Sequence, residues 1–241
     1  MVNEEDHLRL QALMPGLQLA SCFRQVSKLD DKLSSQLDMA YDAALGYLTA
    51  CPSNLGTAIR VSVMLHLPAL AMDGDIKPLE GGLAKLGFTI RGMFGENSGD
   101  LGHFYQISNQ STLGESEQDI IDHLQRVIDQ IIEQEESMRV KLLEHRRSEL
   151  LDAVGRSYGI LKYGYMLSAK EAFKALSLVR LGVDMKMFST LDISNINELF
   201  ISASSGHLQH LARRSLNDAE ERSFRAQLIR EKFKQGSVGN L

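Results

Sequence analysis

Cysteine is scarce in this sequence, and its scarcity sets the first limit on the protein. The 241 residues contain only Cys22 and Cys51. That number excludes a scaffold held by several disulfides and favours a reducing compartment. No apolar stretch approaches the roughly 18 residues of a transmembrane helix, and the start, MVNEEDHLR, lacks the apolar region of a signal peptide. We therefore expect a cytoplasmic protein with no membrane partner.

A strong excess of one charge is also lacking. The formal net charge is −5 at pH 7, which argues against attraction of the whole surface to nucleic acid or anionic lipid. A local basic pocket remains compatible with this charge. The apolar fraction of 44% and the charged fraction of 24% are ordinary for a soluble globular protein. The length allows one large domain or two smaller ones, each with its own core.

The common phosphate-binding loops GxxxxGK[ST] and GxGxxG do not occur, and neither do internal repeats or low-complexity segments. Three arginines, Arg9, Arg60 and Arg91, nevertheless lie in or beside predicted strands. A lone arginine is usually a surface salt bridge. Three on the strands of one sheet instead indicate an anionic substrate, because guanidinium groups match phosphate oxygens.

Hydrophobic periodicity predicts a mixed first domain over residues 1–145 and a helical second domain over 146–235, followed by a frayed tail at 236–241. Alternating patterns predict strands over 6–13, 47–50, 58–67, 88–92 and 103–109. Helical spacing predicts a helix within 17–45 and a short one over 75–86. The stretch 93–102 has three glycines and no periodicity, and so predicts a loop.

Capping residues mark the helices that follow. Ser116 precedes a helix of about 30 residues, and three or four helices are expected between 149 and 235. Ser168 with Glu171 forms a full capping box, and Asn217 with Glu220 a weaker one.

Few side chains stand out as candidates for chemistry. Cys51 precedes a proline in a polar turn, with Ser53 and Thr57 close enough in sequence to donate to sulfur, which favours the thiolate. A buried cysteine is otherwise a small hydrophobe. Glu5 begins a predicted strand and Glu96 lies in the glycine-rich loop, and solvated acids are the alternative for both. The histidines His7 and His66 lack partners at metal-ligand spacing, so we interpret them as structural and predict no protein-bound metal.

Four stretches together resemble the ATP:guanidino phosphotransferases, the phosphagen kinases. CPSNLGTAIR, at 51–60, resembles the cysteine signature C-P-[ST]-N-x-G-T-x-x-R of that family, and NEEDHLR, at 3–9, resembles its acidic motif. RGMFGE, at 91–96, is similar to the specificity-loop motif, and ISNQSTLGESEQD, at 107–119, to the stretch that follows it. RSYGIL, SAKEAFKALSLVRLGVD and RAQLIREKF resemble the helical extension of the bacterial protein arginine kinases.

The resemblance implies an α+β fold, in which an antiparallel sheet flanked by helices forms a partial glutamine synthetase/guanidino kinase-like catalytic core. An all-α C-terminal domain follows. It implies ATP-dependent phosphorylation of arginine guanidinium groups in proteins, which marks them for Clp-type degradation. The alternatives are a free-arginine kinase and an inactive phosphoarginine-binding or regulatory module. Mg²⁺ would be held mainly by phosphates and water.

The resemblance also implies roles for residues. Glu5 and Glu96 would orient the substrate guanidinium and remove a proton, while the Cys51 thiolate stabilises its charge. Ser53 and Asn54 would position the substrate. The implied ATP-binding residues are Arg9, Arg60, Val61, Ser62, Val63, Met64, Arg91, Gly92, Met93, Phe94 and Gly95.

Two features depart from the family pattern. An upstream S-x-R-x-R motif, which supplies two further phosphate-binding arginines in the family, is not in this sequence, so we expect weak kinase activity from this chain alone. The bacterial R-D-x-x-R-A motif, which senses phosphoarginine, aligns with ERSFRA at 221–226. Arg225 and Ala226 match it, whereas Glu221 and Arg222 replace the Arg-Asp pair.

The partners implied by the resemblance are protein substrates with exposed arginine, an activator protein, a Clp-type unfoldase, and a second copy bound through the helical domain.

Overall fold

The computed structural model describes residues 1–2, 4–93, 101–188 and 191–235. Two compact units make up the chain. The first contains Met1–Leu65, Asp75–Arg91 and Gln106–Gln134, and the second contains His66–Gly74, Gly92–Tyr105 and Glu135–Leu241.

Helices and short strands are mixed up to residue 109, and only helices follow in the described part of the chain. The strands are β1 (Tyr41–Asp42), β2 (Gly46–Tyr47), β3 (Ser62–His66), β4 (Phe88–Gly92) and β5 (Phe104–Asn109). The helices are α1 (Leu19–Ser34), α2 (Pro68–Asp73), α3 (Ile76–Lys85), α4 (Glu117–His145), α5 (Arg147–Tyr163), α6 (Ala169–Asp184), α7 (Ile193–Ser202), α8 (Ser205–Ala212) and α9 (Asp218–Gln235).

The strands form two small antiparallel sheets, as the α+β prediction requires. One is the β1–β2 hairpin, in which Tyr41 is opposite Tyr47 and Asp42 is opposite Gly46. The Asp42 carboxylate accepts hydrogen bonds from the N–H groups of Ala44 (2.8 Å) and Leu45 (2.9 Å), which closes the turn. The other sheet has the strand order β3-β5-β4.

In the first unit, apolar side chains of β5 and α4 are withdrawn from solvent. Ile107, Leu124 and Ile128 are fully buried, and burying such a side chain contributes about 1.5–3 kcal/mol. Leu124 and Ile128 are four residues apart on the inward face of α4. Ser116 caps this helix by accepting a hydrogen bond from the Asp119 N–H at 3.2 Å.

The core of the second unit is built mainly by α5 and α6. Leu150, Val154 and Leu161 of α5 and Phe173 and Leu176 of α6 belong to one buried cluster. Ser168 caps α6 by accepting from the N–H of Glu171 at 3.2 Å. At the start of α9, Asn217 and Glu220 accept reciprocally from each other's N–H groups, at 2.9 and 3.0 Å. The predicted capping box at Asn217 is therefore confirmed, whereas at Ser168 the N-cap half of the box is present.

Strands β3, β4 and β5, helix α3 and the 29-residue helix α4 confirm the corresponding sequence predictions, with β3 shorter than expected. The strand predicted over 6–13 is wrong, because the backbone there pairs locally: Val2 bridges Leu8, and the Arg9 N–H donates to the Met1 carbonyl. The strand predicted over 47–50 is reduced to Tyr47 at the end of β2.

The helix predictions need three further corrections. The helix expected within 17–45 ends at Ser34, where the Ser35 hydroxyl donates to the Lys32 carbonyl at 2.8 Å and competes with the helical pattern. Helix α2, with Pro68 in its first turn, was not predicted. Between 147 and 235 the described residues form five helices, α5 to α9, rather than three or four. The predicted frayed tail, 236–241, lies outside the described residues.

Candidate active site

Cys51 begins a short turn of 3-10 helix, Pro52–Asn54, in the first unit. Its sulfur lies 3.0 Å from the Ser53 hydroxyl oxygen, so the predicted contact between these two side chains is present. The expected contact from Thr57 is not, because the Thr57 hydroxyl donates instead to the Thr112 carbonyl at 3.1 Å. The turn closes through the Asn54 N–H, which donates to the Cys51 carbonyl at 3.0 Å. We call Ala50–Asn54 the cysteine turn.

Two neighbouring segments fix the end of the cysteine turn. Thr112 donates its hydroxyl to the carbonyl oxygens of Ser53 and Leu55, at 3.1 and 2.7 Å. Gly56 pairs with Tyr47 through an isolated bridge. Gly56 has φ +106°, and a Cβ there would collide with the Thr112 carbonyl oxygen. Glycine is therefore required at this position both for its backbone conformation and for the close approach.

Residues 4–9, the acidic segment, contain a guanidinium bound by two carboxylates. Arg9 donates from Nη1 to Glu4 at 2.8 Å and from Nη2 to Glu5 at 2.9 Å. The side chains of Arg9 and Glu5 are 35% and 50% exposed. In this structure the predicted catalytic carboxylate thus binds the guanidinium of a predicted phosphate-binding residue, in a pair that remains open to solvent.

Asp6, to which the sequence analysis gave no role, contacts the cysteine turn. Its Oδ1 accepts from the Ala50 N–H at 2.8 Å, and its Oδ2 accepts from the Asn54 side-chain amide at 3.4 Å. Asp6 is half-buried, whereas its neighbours Glu5 and His7 are exposed. These bonds bring together two of the predicted motifs, which lie more than 40 residues apart in the chain.

Arg60 contacts strand β5 within the first unit. The Arg60 Nη2 lies 3.3 Å from the Ser108 hydroxyl. Asn109 fixes the backbone beside Arg60: its amide oxygen accepts from the Val61 N–H at 2.8 Å and its amide nitrogen donates to the Ile59 carbonyl at 3.0 Å. The chain on either side of Arg60 is therefore held to β5.

The other predicted nucleotide-binding residues that the structure describes lie in β3 and β4 or next to them. Val61 is buried, Ser62 accepts from the Gln106 amide at 3.0 Å, and Met64 is 46% exposed. Arg91 is half-buried in β4. In the second unit, Gly92 ends that strand, and the Met93 N–H donates to the Phe104 carbonyl at 3.1 Å. Phe94, Gly95 and Glu96 lie outside the described residues.

Arg225, the predicted phosphoarginine-sensing residue, is buried in the second unit. It donates to the carbonyls of Ala203 (2.8 Å) and Leu167 (3.0 Å) and to the Glu221 carboxylate. Burial alone would raise the pKa of Glu221, but hydrogen bonds from Ser205 and Arg225 hold it below its usual value. All three guanidinium nitrogens of Arg225 thus have acceptors within this second unit, which is mainly helical and is called the helical unit.

Sequence reasoning missed the side chains that hold the site in place. Asp6, Ser108, Asn109 and Thr112 all fall inside the stretches NEEDHLR and ISNQSTLGESEQD, which were singled out only as motifs. The available signal was their residue type, because short polar side chains next to a turn commonly bond backbone groups.

Among the described residues, no group of three or more histidine, cysteine, aspartate or glutamate side chains has an arrangement that could hold a metal ion. Among the helices described, none is both long enough and apolar enough to cross a membrane.

Comparison with known proteins identifies the family. Residues 1–138 match the ATP:guanido phosphotransferase C-terminal catalytic domain, and residues 147–240 match the protein-arginine kinase McsB C-terminal domain. The chain therefore belongs to the ATP:guanido phosphotransferase family of enzymes, and the resemblance drawn from its motifs is confirmed.

Curated relatives narrow the comparison to one kind of kinase. The chain is 47% identical over 233 residues to a protein-arginine kinase of Halothermothrix orenii, covering 97% of this chain and 67% of the relative. It is 46% identical over 234 residues to that of Shouchella clausii, covering 97% of this chain and 65% of the relative. The chain thus spans about two thirds of the length of these relatives.

Solved structures confirm the fold class. Lombricine kinase superposes with a TM-score of 0.53 at 28% identity, over 58% of this chain and 39% of that chain. A duplicated taurocyamine kinase from Schistosoma mansoni, with bound components of a transition-state analogue, gives a TM-score of 0.51 at 29% identity, over 64% of this chain and 22% of that chain.

Proposed function

We propose that this chain transfers the γ-phosphoryl group of ATP to the guanidinium of arginine residues in proteins. Its protein-arginine kinase relatives are about 45% identical over nearly the whole chain, whereas the structures named for lombricine and taurocyamine are 28–29% identical over about three fifths of it. The relatives that share the helical unit are the ones named for protein substrates, which favours a protein over a free guanidino compound.

One observation in the structure carries the chemical part of the proposal. The Glu5 carboxylate binds a guanidinium, that of Arg9, at 2.9 Å, and Asp6, the next residue, bonds the cysteine turn. A carboxylate accepts from the planar guanidinium fork with good geometry. The site thus offers a guanidinium-binding group joined through one residue to the segment that carries the thiol.

The proposed reaction needs little beyond alignment and charge. A guanidinium is a very weak acid, so it is protonated at neutral pH and is a poor nucleophile until it loses a proton. Glu5 and Glu96 would hold the substrate, and one of them would accept that proton as the guanidinium nitrogen attacks the γ-phosphorus, the bond to the bridging oxygen breaks and ADP leaves. The Cys51 sulfur would stabilise the positive group beside it.

On the nucleotide side, Arg9, Arg60 and Arg91 would neutralise charge on the transferring phosphoryl group. Mg²⁺ would bind the phosphate oxygens and keep water ligands. For Arg9 this role requires it to leave Glu5. An exposed ion pair contributes only about 0.2–1 kcal/mol, so a polyphosphate can displace the carboxylate and free it for the substrate.

The proposal extends to the cellular role that the resemblance implies. Proteins with exposed arginine would be the substrates, in the cytoplasm, and the phosphoarginine would mark them for a Clp-type unfoldase. An activator protein and a second copy bound through the helical unit belong to the same proposal. Pulling down phosphoarginine-labelled casein with a Clp unfoldase, with unlabelled casein as control, tests the marking step.

The kinase proposal is tested with radiolabelled ATP offered together with casein and free arginine. We expect radiolabel on casein that is lost in acid, because P–N bonds are hydrolysed there. Mass spectrometry should place the phosphate on arginine. Label on free arginine alone would instead indicate a phosphagen-type kinase. Binding of a phosphoarginine peptide without any transfer would indicate a regulatory module.

A further inference from the structure

We infer that Asp6 is a positioning residue of the kinase site, and that it fixes the position of the cysteine turn relative to the Glu5 carboxylate. The effect of Asp6 on catalysis rests on the proposed function. The link from Asp6 to the cysteine turn rests on its two hydrogen bonds and does not depend on what the chain catalyses.

Asp6 binds the cysteine turn through both of its carboxylate oxygens. Each carboxylate oxygen has its own donor: the backbone N–H of Ala50 lies 2.8 Å from Oδ1, and the Asn54 amide nitrogen lies 3.4 Å from Oδ2. The donors stand at the two ends of the cysteine turn, so a single side chain spans it. A carboxylate offers each donor a separate oxygen at a fixed spacing, whereas a hydroxyl would have to accept both on one oxygen.

Asp6 and its partner Ala50 each lie next to a predicted catalytic residue. Ala50 immediately precedes Cys51, and adjacent α-carbons are about 3.8 Å apart. Glu5 is likewise adjacent to Asp6. A shift of the Asp6–Ala50 bond would therefore move the backbones that carry Glu5 and Cys51 relative to each other.

Asp6 also differs from its sequence neighbours in burial. Glu4, Glu5 and His7 are exposed, while Asp6 is half-buried. The Asn54 end of the turn is also fixed by Thr112, which binds the carbonyls of Ser53 and Leu55. Asp6 thus supplies a link on the side facing the acidic segment, and the turn is held from two directions.

Three substitutions at Asp6 separate position from charge. Asp6→Ala removes both acceptors. Asp6→Asn keeps an oxygen for the Ala50 N–H and can donate to the Asn54 amide oxygen if that amide turns over. Asp6→Glu keeps the charge but moves it by one methylene. A matched control is Asp42→Ala, since Asp42 also accepts two hydrogen bonds, but only within its own hairpin turn.

The first readout is independent of kinase activity. The alkylation rate of Cys51 by iodoacetamide is followed by peptide mass spectrometry, which separates it from Cys22. Because the freed turn exposes its sulfur, Asp6→Ala should raise that rate several-fold, Asp6→Asn should stay near the unsubstituted protein, and Asp42→Ala should leave it unchanged. An unchanged rate in folded Asp6→Ala overturns the inference.

The second readout is steady-state kinetics with a protein substrate. A displacement of about 1 Å at a reacting centre can cost about 10²-fold, so Asp6→Ala and Asp6→Glu should lower kcat by about 10- to 100-fold with the KM for ATP little changed. Asp6→Asn should recover most of kcat. If Asp6→Ala does not fold, Asp6→Glu decides the question, and wild-type kcat in that variant contradicts the inference.

The two readouts keep this inference distinguishable from the proposed function. A wild-type chain that transfers no phosphate to arginine refutes the proposed function, while the alkylation rates still test the link from Asp6 to the cysteine turn. Normal kinase activity in all three Asp6 variants refutes the positioning role and leaves the proposed function intact.

Discussion

Glu5 and Arg9 form an ion pair in which the Arg9 Nη2 donates to the Glu5 Oε2 at 2.9 Å. The pair joins two residues that would act on different substrates, since Glu5 is predicted to hold the arginine and Arg9 the nucleotide. Binding of phosphate by Arg9 and binding of a substrate guanidinium by Glu5 both require the pair to open. The two substrates should therefore favour each other's binding.

Arg9→Ala tests this coupling. The variant should weaken ADP binding by about one to two decades, because a charge-assisted bond to phosphate contributes about 1.5–3 kcal/mol and 1.4 kcal/mol is one decade. It should also strengthen binding of an arginine peptide in the absence of nucleotide, since Glu5 has lost its internal guanidinium. Calorimetric titration of each ligand, alone and with the other present, measures both effects.

The control for that titration is Arg24→Ala, which removes an arginine whose guanidinium donates to Ser21 within α1. Arg24→Ala should leave both affinities unchanged. Equal ADP affinity in Arg9→Ala and the unsubstituted chain would show that Arg9 does not bind the phosphates.

Cys51→Ser should preserve the fold and leave partial activity. The sulfur is proposed to stabilise charge without forming a covalent bond, and loss of one such electrostatic contact typically costs about 10²–10³-fold in kcat. Turnover with a protein substrate measures the loss, and Cys22→Ser on α1 should retain full activity. A phosphoryl-cysteine trapped by mass spectrometry during turnover would contradict this role.

Arg225→Ala should destabilise the helical unit severely. The substitution leaves the carbonyls of Ala203 and Leu167 and the Glu221 carboxylate without their buried donor. Removing one partner of a buried ion pair costs about 3–5 kcal/mol. Urea unfolding followed by circular dichroism measures the free energy of unfolding of each variant.

Arg222→Ala is the matched control on the same helix. Arg222 pairs with Asp218 at 2.9 Å, but it is 45% exposed, and exposed pairs contribute only about 0.2–1 kcal/mol. If Arg225→Ala costs no more than Arg222→Ala, the internal bonds of Arg225 do not stabilise this unit.

His66 should make the second unit sensitive to acid. Its Nε2 lies 2.8 Å from the Ser177 hydroxyl, which also lies 2.7 Å from His103 Nδ1. Burial, together with the positive charge of Arg180, Arg139 and His103, lowers the pKa of His66 well below its ordinary value. Arg139 is itself paired with Glu135 and Asp184, and these carboxylates do not offset the shift.

The sign of the pH effect follows from the depressed pKa. Below about pH 6.5 the unfolded imidazole is protonated while the folded one is still neutral, so the unfolded state binds more protons. Stability is therefore fully present above pH 6.5 and decreases as the pH falls toward the folded pKa, by up to about 1.4 kcal/mol per pH unit. Urea midpoints at pH 7.5 and 5.5 measure the decrease.

His66→Gln should remove most of that difference between the two midpoints. His7→Gln, at an exposed position, should retain it. Equal acid sensitivity in His66→Gln and the unsubstituted chain would show that another group titrates.

Local patterns predicted the elements whose determinants lie close together in the chain. The N-cap bond at Ser168 and the capping box at Asn217 need only residues three positions apart, and both are present. Helix α2 depends on a distant partner: the N–H groups of Ala69 and Leu70 at its start donate to the buried carboxylate of Glu135, at 3.1 and 3.0 Å. No pattern around residue 68 reveals that carboxylate, although a proline in the first turn is a known helix signal.

The same distinction applies to the candidate site. The motifs identified Cys51, Glu5 and Arg60 by residue type and spacing. The side-chain partners of Cys51 and Glu5, which are Ser53 and Arg9, are local, whereas Arg60 itself and the residues next to Cys51 and Glu5 contact segments distant in the sequence. The Asp6 bond to Ala50 spans 44 residues and the Arg60 contact with Ser108 spans 48. Such contacts depend on tertiary packing. For the same reason the alternation at 6–13 predicted a strand that has no sheet neighbour in the described structure.

Identification of the phosphorylated atom tests the central claim most directly. The chain is incubated with casein and millimolar MgATP, which allows for weak nucleotide binding, and the products are analysed by mass spectrometry under conditions that preserve P–N bonds. We predict phosphoarginine on casein from the unsubstituted chain and its loss in Glu5→Gln. Phosphate confined to free arginine or to serine, or no phosphoarginine on casein under conditions in which ADP binds, would contradict the account.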